Sequence, residues 1–339
     1  MIQTQETVVK NHGSLTDNTS DQIFYGHGKL LLSGEYFVLD GAKALALPTR
    51  FGQSLQVRYS KSFDPKLYWK SYDYNGNLWL EATFEFWHFD ILDEDPRLEV
   101  ILLQKILREA RKQNSHFLRD NLNVHVETKL GFPLDWGLGS SSTLIYNIAQ
   151  WAYISPFELL FNTYGGSGYD IACAQSDGPI IYERKNDGQH WAPIIFNPTF
   201  SDKLYFVYLG KKMDSRKAIS NYDQKRPHPP EVVIALSSLT DEIIKCSSFE
   251  EFEFLISAHE DLISKNLGLE KARKNFPEFW GEVKSLGAWG GDFVLVTSNR
   301  TVAETRNYFA RLGYSIFIPY DEMILGRKET TRGACDYIQ

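Results

Sequence analysis

The segment Pro133-Leu134-Asp135-Trp136-Gly137-Leu138-Gly139-Ser140-Ser141-Ser142 narrows the choice of fold more than any other part of the chain. Before it, Leu122, Val124 and Val126 alternate with Asn123, His125 and Glu127, the pattern of a half-buried strand. After it, Thr143 to Tyr153 is compatible with a helix. In a strand–glycine turn–helix unit, the first backbone N–H groups of the helix and the positive end of its dipole face the turn. Glycines open backbone angles denied to other residues and let a ligand approach the main chain. Such a turn binds an anion without a basic side chain, and the three serine hydroxyls can reach phosphate or Mg2+. The same residues also read as a plain turn with serine caps, and on this segment alone the two readings stand about even. No Gly-x-x-x-x-Gly-Lys-Ser/Thr string occurs, so a P-loop ATPase is not supported.

A chain of 339 residues exceeds one ordinary small core and suits two fused domains. We expect a loose tail over 1–21, a first domain over 22–185 and a second over 186–339. In the first, residues 23–32 read as a strand entering a tight turn at Ser33-Gly34-Glu35, and Leu55 to Tyr59 as another strand. Asn75-Gly76 between Leu67–Asp73 and Leu78–Phe86 signals a hairpin. Leu98, Ile101, Leu102, Ile106 and Ala110 recur at helix spacing after Pro96. Ser155-Pro156-Phe157-Glu158 supplies a cap, a proline at the first helical position and an acid at the third, a helix start. In the second domain we expect strands at Leu204–Leu209, Asp292–Thr297 and Tyr314–Pro319. Helices are expected at about 231–246, 249–266, 270–285 and 302–312, with Ser248 and Glu251 as a second capping pair. Lys211 to Pro230 reads as a long basic loop with a short helix. This order suggests an α+β arrangement with helices on one face of a sheet.

Two further glycine-rich segments stand with the first. Gly28-Lys29-Leu30-Leu31-Leu32-Ser33-Gly34-Glu35-Tyr36-Phe37-Val38-Leu39-Asp40-Gly41 ends the first strand, and Lys284-Ser285-Leu286-Gly287-Ala288-Trp289-Gly290-Gly291-Asp292-Phe293 lies near the C-terminus. Together with Gly137 to Ser142, these resemble, in order, the three motifs of the GHMP kinases. Gly165-Gly166-Ser167-Gly168-Tyr169-Asp170 resembles the Ser-Gly-x-Asp segment of the mevalonate kinase-like members. Gly168-Tyr169-Asp170-Ile171-Ala172 looks like a bacterial branch of that family. Departures from the family pattern fall at His27, Trp136, Trp289 and Asp292. Trp289 would narrow the pocket, and Asp292 would disfavour an extra substrate phosphate nearby.

The resemblance implies an α+β fold of two domains, a ribosomal S5 domain 2-like N-terminal domain and a ferredoxin-like C-terminal domain, with the site between them. It implies ATP and Mg2+ as cofactors. ATP would be cradled by Pro133, Gly137, Leu138, Gly139, Ser140, Ser141 and Ser142, with Ser141 and Glu158 on the metal. Glu158 also suffices as a cap residue. Asp170 would align and deprotonate the acceptor hydroxyl, and Lys29 would neutralise charge on the transferred phosphoryl group. Glu35, Tyr36, Ser167, Gly168, Gly290 and Gly291 would contact the substrate. The implied reaction is transfer of the γ-phosphoryl group of ATP to a small hydroxylated acid, mevalonate first and phosphomevalonate second. A sugar kinase, a diphosphomevalonate decarboxylase and a non-catalytic nucleotide binder remain as alternatives.

The rest of the composition bounds the partners. A net charge of −7 and a pI near 5.7 argue against a dedicated nucleic-acid binder. Cys173, Cys246 and Cys335 are too few and too scattered for a disulfide framework or a zinc cluster, which fits a reducing compartment. His27, His88, His116, His125, His190 and His228 show no metal-ligand spacing, and His259 reads as structural. The basic cluster Lys211, Lys212, Arg216 and Lys217 reads as a solvated face. No apolar run reaches membrane-spanning length, and Met1 to Asp21 lacks the apolar core of a secretory signal. The expectation is a cytoplasmic monomer or homodimer acting on a small molecule.

Overall fold

The computed structural model describes residues 21–94, 96–210, 222, 228–289 and 292–326. Residues 1–20 of the expected 1–21 tail, the cluster from Lys211 to Lys217, Gly290, Gly291 and Cys335 lie outside the described residues.

Two strands organise the first half. β1 (Gln22–Ser33) and β2 (Ala44–Lys61) pair antiparallel along most of their length. β2 is long enough to serve two neighbours: Gln53 to Lys61 pair with β5 (Leu122–Leu130), and Ala44 to Ala46 with β6 (Ile180–Lys185). β3 (Lys66–Tyr72) and β4 (Leu78–Glu85) form the hairpin expected at Asn75-Gly76, where Gly76 has φ 84°. β3 joins β5 in parallel, and β7 (Gly188–Pro193) closes the sheet beside β6. The seven-stranded order is β4-β3-β5-β2-β6-β7, with β1 on β2. The sheet therefore runs to Pro193, past the expected break after residue 185, because Ile180–Lys185 turns back on itself as a hairpin.

Helices α1 (Leu98–Gln113), α2 (Ser140–Ala152), α3 (Pro156–Thr163) and α4 (Tyr169–Ala174) follow in the same half. α1 buries Val100, Leu103, Ile106, Leu107 and Ala110, one face of a 3.6-residue period, and carries Arg111 and Lys112 in its last turn, where they complement the dipole. These join Leu55, Val57, Trp69, Phe84, Ile145 and Ile148 in the main core.

The second sheet contains β8 (Leu204–Tyr208), β9 (Val283–Ser285), β10 (Phe293–Thr297) and β11 (Phe317–Pro319) in the order β11-β8-β10-β9, antiparallel throughout. α5 (Pro230–Lys245) and α6 (Phe249–Leu267) lie between its first and second strands, and α7 (Val302–Arg311) between its third and fourth. Fourth-first-third-second with helical crossovers is the ferredoxin-like pattern. The short α8 (Tyr320–Met323) follows β11. The sheets share a core in which Leu30, Leu45, Leu47 and Leu138 meet Phe206, Phe252 and Leu295.

One expected helix is absent. Residues 270–285 form a single 3-10 turn at Ala272–Asn275 and then β9. Pro277 interrupts the hydrogen-bond ladder a helix would need. Phe276, Phe279 and Val283 instead pack with Phe309. Gly281 leaves no room for a side chain, since a Cβ there would sit 1.9 Å from the Thr297 carbonyl oxygen. Among the described residues no helix is long and apolar enough to cross a membrane.

Candidate active site

The loop between β5 and α2 is built around one buried side chain. Leu138 is fully buried in the core between the sheets, and its carbonyl accepts the Lys29 N–H at 3.0 Å. The glycines on either side, Gly137 at φ 68° and Gly139 at φ 89°, take the left-handed conformations that let the chain pass over this anchor. Trp136 N–H closes the preceding turn on the Pro133 carbonyl at 3.1 Å. Trp136 sits edge-on against Phe51 and Phe293, and the Asp135 carboxylate accepts from Tyr208 Oη at 2.9 Å. Trp136 and Asp135 thereby brace the loop against the second sheet.

Gly139 is the N-cap of α2 and offers no capping side chain. Ser142 and Thr143 direct their N–H groups back to its carbonyl at 3.0 Å each. The N–H groups of Ser140 and Ser141 have no partner within the helix, the general condition of a helix start. The three serines part company here: Ser140 is half-buried, Ser141 exposed and Ser142 buried. α2 itself is pinned to β2, because Thr143 and Asn147 both donate to Gln53, at 2.7 and 2.9 Å.

Lys29 lies beside this helix start. The register of β1 against β2 shifts between His27 and Lys29. The aliphatic stem of Lys29 covers Gly139 so closely that a Cβ there would lie 3.1 Å from Lys29 Cγ. Its Nζ is 5.5 Å from the centre of the Tyr169 ring. Burial alone would lower its pKa, but the Tyr169 phenol and the carboxylates of Asp170 and Asp292 outweigh burial and hold it above the ordinary lysine value. The ammonium stays charged.

Asp170 reaches the same point from α4. Gly168, at φ 94°, caps that helix, and Asp170 follows in its first turn. Asp170 Oδ2 accepts from Ser142 Oγ at 2.7 Å, which joins the starts of α2 and α4. The turn before Asp170 is held from below: Tyr182 Oη donates to the carbonyl of buried Ser167 at 2.5 Å. A Cβ on Gly168 would fall 2.8 Å from the same hydroxyl. Tyr36, at φ 62°, donates its hydroxyl to the Ala288 carbonyl at 2.9 Å. Burial, then Glu35 and Tyr169, push the Tyr36 phenol up to about 12.

Lys29, Asp170, Ser142 and the loop from Gly137 to Ser141 are thus brought together, with Tyr36, Ser167 and Gly168 around them. Two expected ligands are not. Glu35 is fully buried, its Oε1 2.5 Å from the equally buried Lys284 Nζ and its Oε2 3.4 Å from His259 Nε2. His259 Nε2 also accepts the Gly34 N–H at 3.0 Å. A carboxylate so enclosed holds the Gly34-Glu35 turn to the second domain and is out of reach of a substrate. Glu158 is exposed in the first turn of α3, where its N–H meets the capping Ser155 hydroxyl at 3.4 Å. Its neighbour Phe157 packs toward Gly168, where a Cβ would fall 3.4 Å from Phe157 Cδ1, so α3 starts beside α4 while Glu158 itself is exposed.

Trp289 is buried against Phe37 and Tyr222 and lines a hydrophobic cluster, where a narrowing of the pocket was expected. Asp292 presses its carboxylate against Gly137. Sequence reasoning also passed over Tyr169, although it adjoins Asp170, and Lys284, which opens the third glycine segment. The oxygen donors here, the exposed Ser141 hydroxyl and the Asp170 and Asp292 carboxylates beside an uncapped helix start, are of the hard type that suits Mg2+ with phosphate.

No protein-family model matches the chain, and no curated protein matches it in sequence. Solved structures do match. The phosphomevalonate kinase of Streptococcus pneumoniae, solved with phosphomevalonate and AMPPNP, superposes with a TM-score of 0.63 at 16% identity, over 87% of this chain and 99% of that one. The mevalonate kinase of Methanococcus jannaschii gives 0.61 at 15%, over 88% and 96%. The galactokinase of Lactococcus lactis, complexed with galactose, gives 0.61 at 13%, over 91% and 94%. The fold is the two-domain GHMP kinase fold, carried here by a divergent sequence.

Proposed function

We propose that this chain is a phosphotransferase that moves the γ-phosphoryl group of ATP, with Mg2+, to the hydroxyl of a small acid. The observation that carries the reading is the meeting of three chemistries at one point. The Ser142–Asp170 hydrogen bond of 2.7 Å ties a carboxylate to an uncapped helix start, and the Lys29 stem lies across the same glycine. A helix start with glycines at φ 68° and 89° is suited to a polyphosphate. The carboxylate and the ammonium are suited to the two ends of a phosphoryl transfer.

In this reading the acceptor hydroxyl donates a hydrogen bond to Asp170. As its oxygen bonds to the γ-phosphorus, its proton passes to the Asp170 carboxylate. The bond from the γ-phosphorus to the bridging oxygen breaks, and that electron pair leaves on the β-phosphate of ADP. Ser142 fixes the carboxylate rotamer so that one oxygen remains for the acceptor. Lys29, held charged, offsets the negative charge on the equatorial phosphoryl oxygens. Mg2+ near Ser141 would supply further neutralisation of the triphosphate. Because phosphoryl transfer relies mainly on positioning and charge, the fixed geometry of Lys29, Ser142 and Asp170 is the substance of the proposal.

Mevalonate is the first acceptor to test and phosphomevalonate the second, since the Gly165-Gly166-Ser167-Gly168-Tyr169-Asp170 segment resembles that of the mevalonate kinase-like members; a sugar comes after them. A coupled ADP-release screen with Mg·ATP over mevalonate, phosphomevalonate, homoserine and simple sugars is expected to give turnover with one. CO2 released with stoichiometric ADP and phosphate from diphosphomevalonate would assign the chain to decarboxylation instead. No ADP from any acceptor, with no rise in melting temperature at millimolar Mg·ATP, would leave a non-catalytic protein and end the proposal.

A further inference from the structure

Tyr36 has a backbone conformation that residues other than glycine rarely take. Its φ is 62° and its ψ −53°, and the Phe37 N–H after it closes on the Glu35 carbonyl before it at 2.7 Å. That is a γ-turn of the strained hand, with positive φ at its centre. Such a turn persists only where its surroundings hold it. The second domain supplies much of the hold, since the Gly34 N–H just before the turn donates to His259 Nε2 at 3.0 Å. Just after it, the Val38 N–H returns to the Gly34 carbonyl at 3.0 Å.

The turn does what an extended chain cannot. In a strand, successive side chains point to opposite faces. Around Tyr36, three successive side chains converge on one segment of the second domain. Glu35 Oε1 lies 2.5 Å from Lys284 Nζ. The Tyr36 hydroxyl donates to the Ala288 carbonyl at 2.9 Å. Phe37, fully buried, shares a hydrophobic cluster with Trp289. Residues 35–37 thus grip residues 284–289, the opening of the third glycine segment. Three positions beyond Trp289, Asp292 lies against Gly137 of the phosphate loop. Of the three gripping residues, Glu35 and Phe37 are sealed, whereas Tyr36 is half-buried. Tyr169, the neighbour of Asp170, is among the groups that raise its phenol.

Resting on the phosphotransferase reading, we propose that Tyr36 is a positioning residue for the reaction. It acts through the Ala288 carbonyl and holds the opening of the third glycine segment in place beside the phosphate loop. The strained turn is retained because it brings residues 35, 36 and 37 onto that one segment. In this role Tyr36 takes up no proton and touches no reacting atom.

The test uses the full chain. Tyr36→Phe keeps the ring and the turn and removes only the hydroxyl. Hydrogen exchange followed by mass spectrometry reads the segment without any ligand. A peptide covering Val283–Trp289 should exchange about fivefold faster than in the native chain, the scale of one lost hydrogen bond. The melting temperature should stay within about 4 °C of native. Calorimetry with AMPPNP and Mg2+ should show affinity weakened about fivefold, a change that a hydroxyl serving stability alone would not produce. Tyr36→Gly and Tyr36→Ala read the strain. Glycine takes this turn freely and alanine does not, so the glycine variant should melt roughly 2–4 °C above the alanine variant, the reverse of their order in a helix or strand. Three results overturn the assignment: exchange within about twofold of native in Tyr36→Phe, AMPPNP affinity within about twofold of a native chain that binds it, or an alanine variant that melts at or above the glycine variant. A native chain that binds no AMPPNP sinks the phosphotransferase reading instead, and the exchange and melting results then still decide whether the turn grips the segment.

Discussion

Replacing Lys284 by methionine tests how the two domains are held in register at the site. Lys284 is fully buried, with Nζ 2.5 Å from Glu35 Oε1, 3.0 Å from the Ser285 carbonyl and 3.9 Å from Glu260 Oε1. Glu260 accepts the Ser285 N–H at 2.9 Å and stands beside the same lysine. Methionine fills much the same volume, so the loss is one of charge. It strands the Glu35 carboxylate, and breaking a buried pair in this way costs about 3–5 kcal/mol. The buried acids can escape part of that cost by taking up protons, at about 1.4 kcal/mol for each unit by which pH exceeds their pKa. The loss should therefore grow with pH, from roughly 1–2 kcal/mol at pH 5.5 to roughly 4 kcal/mol at pH 8.

The native protein sets the sign of the background. Burial pushes the Glu260 carboxyl up to about 8, against the pull of Lys284. A carboxyl raised in the folded state adds stability that is complete below its ordinary pKa of 4.5 and is lost as pH rises through about 8. His259, held neutral because burial and Lys284 depress its pKa, acts in the opposite sense and removes stability only as pH falls below 6.5. Urea midpoints at pH 5.5, 7 and 8 for the native protein, Lys284→Met, Glu35→Gln and the double variant read all of this. The double variant should recover at least about 2 kcal/mol of the sum of the single losses, since neither charge is then left unpaired. A Lys284→Met midpoint within about 1 kcal/mol of native at pH 8, or a loss that does not change with pH, would refute the reasoning.

Two further substitutions probe the chemistry. Asp170→Asn should lower kcat by about a hundredfold or more while the ATP KM stays within about twofold, the signature of a general base that does not hold nucleotide; an unaltered kcat removes Asp170 from the mechanism. Gly139→Ala places a methyl group 3.1 Å from Lys29 Cγ at a φ of 89°. It should cost about 1–2 kcal/mol of stability from the backbone alone and weaken AMPPNP binding, and a variant with native melting and native nucleotide affinity would contradict the loop geometry.

What could be read from the chain beforehand was what local chemistry decides. The loop glycines, the Ser155 cap and the Asn75-Gly76 hairpin depend on neighbours within a few residues, and the structure has each in place. Pro277 is an equally local signal, and it outweighed the apolar spacing that suggested a helix over 270–285. β7 escaped notice for the reverse reason: an exposed edge strand needs few apolar residues, so Gly188–Pro193 shows little of the alternation that marks a half-buried one.

The charged residues of the motifs are harder, because a carboxylate next to a glycine looks the same whether it faces ligand or another side chain. Glu35 sits in the segment most like a substrate loop, yet its partner Lys284 is 249 positions away. The pairing appears only when α6 and the second sheet close over the Gly34-Glu35 turn, where His259 and Glu260 come from one helix and Lys284 from β9. Asp292 is the converse case. At the end of a glycine run it reads as a charge that disfavours an extra substrate phosphate nearby, and only the fold sets its carboxylate against Gly137 in the loop of the other domain. Both reversals arise at the seam between the domains. The first domain alone carries the loop, Lys29 and Asp170, while the second decides which of the remaining acids is sealed in the core and which is set against the loop.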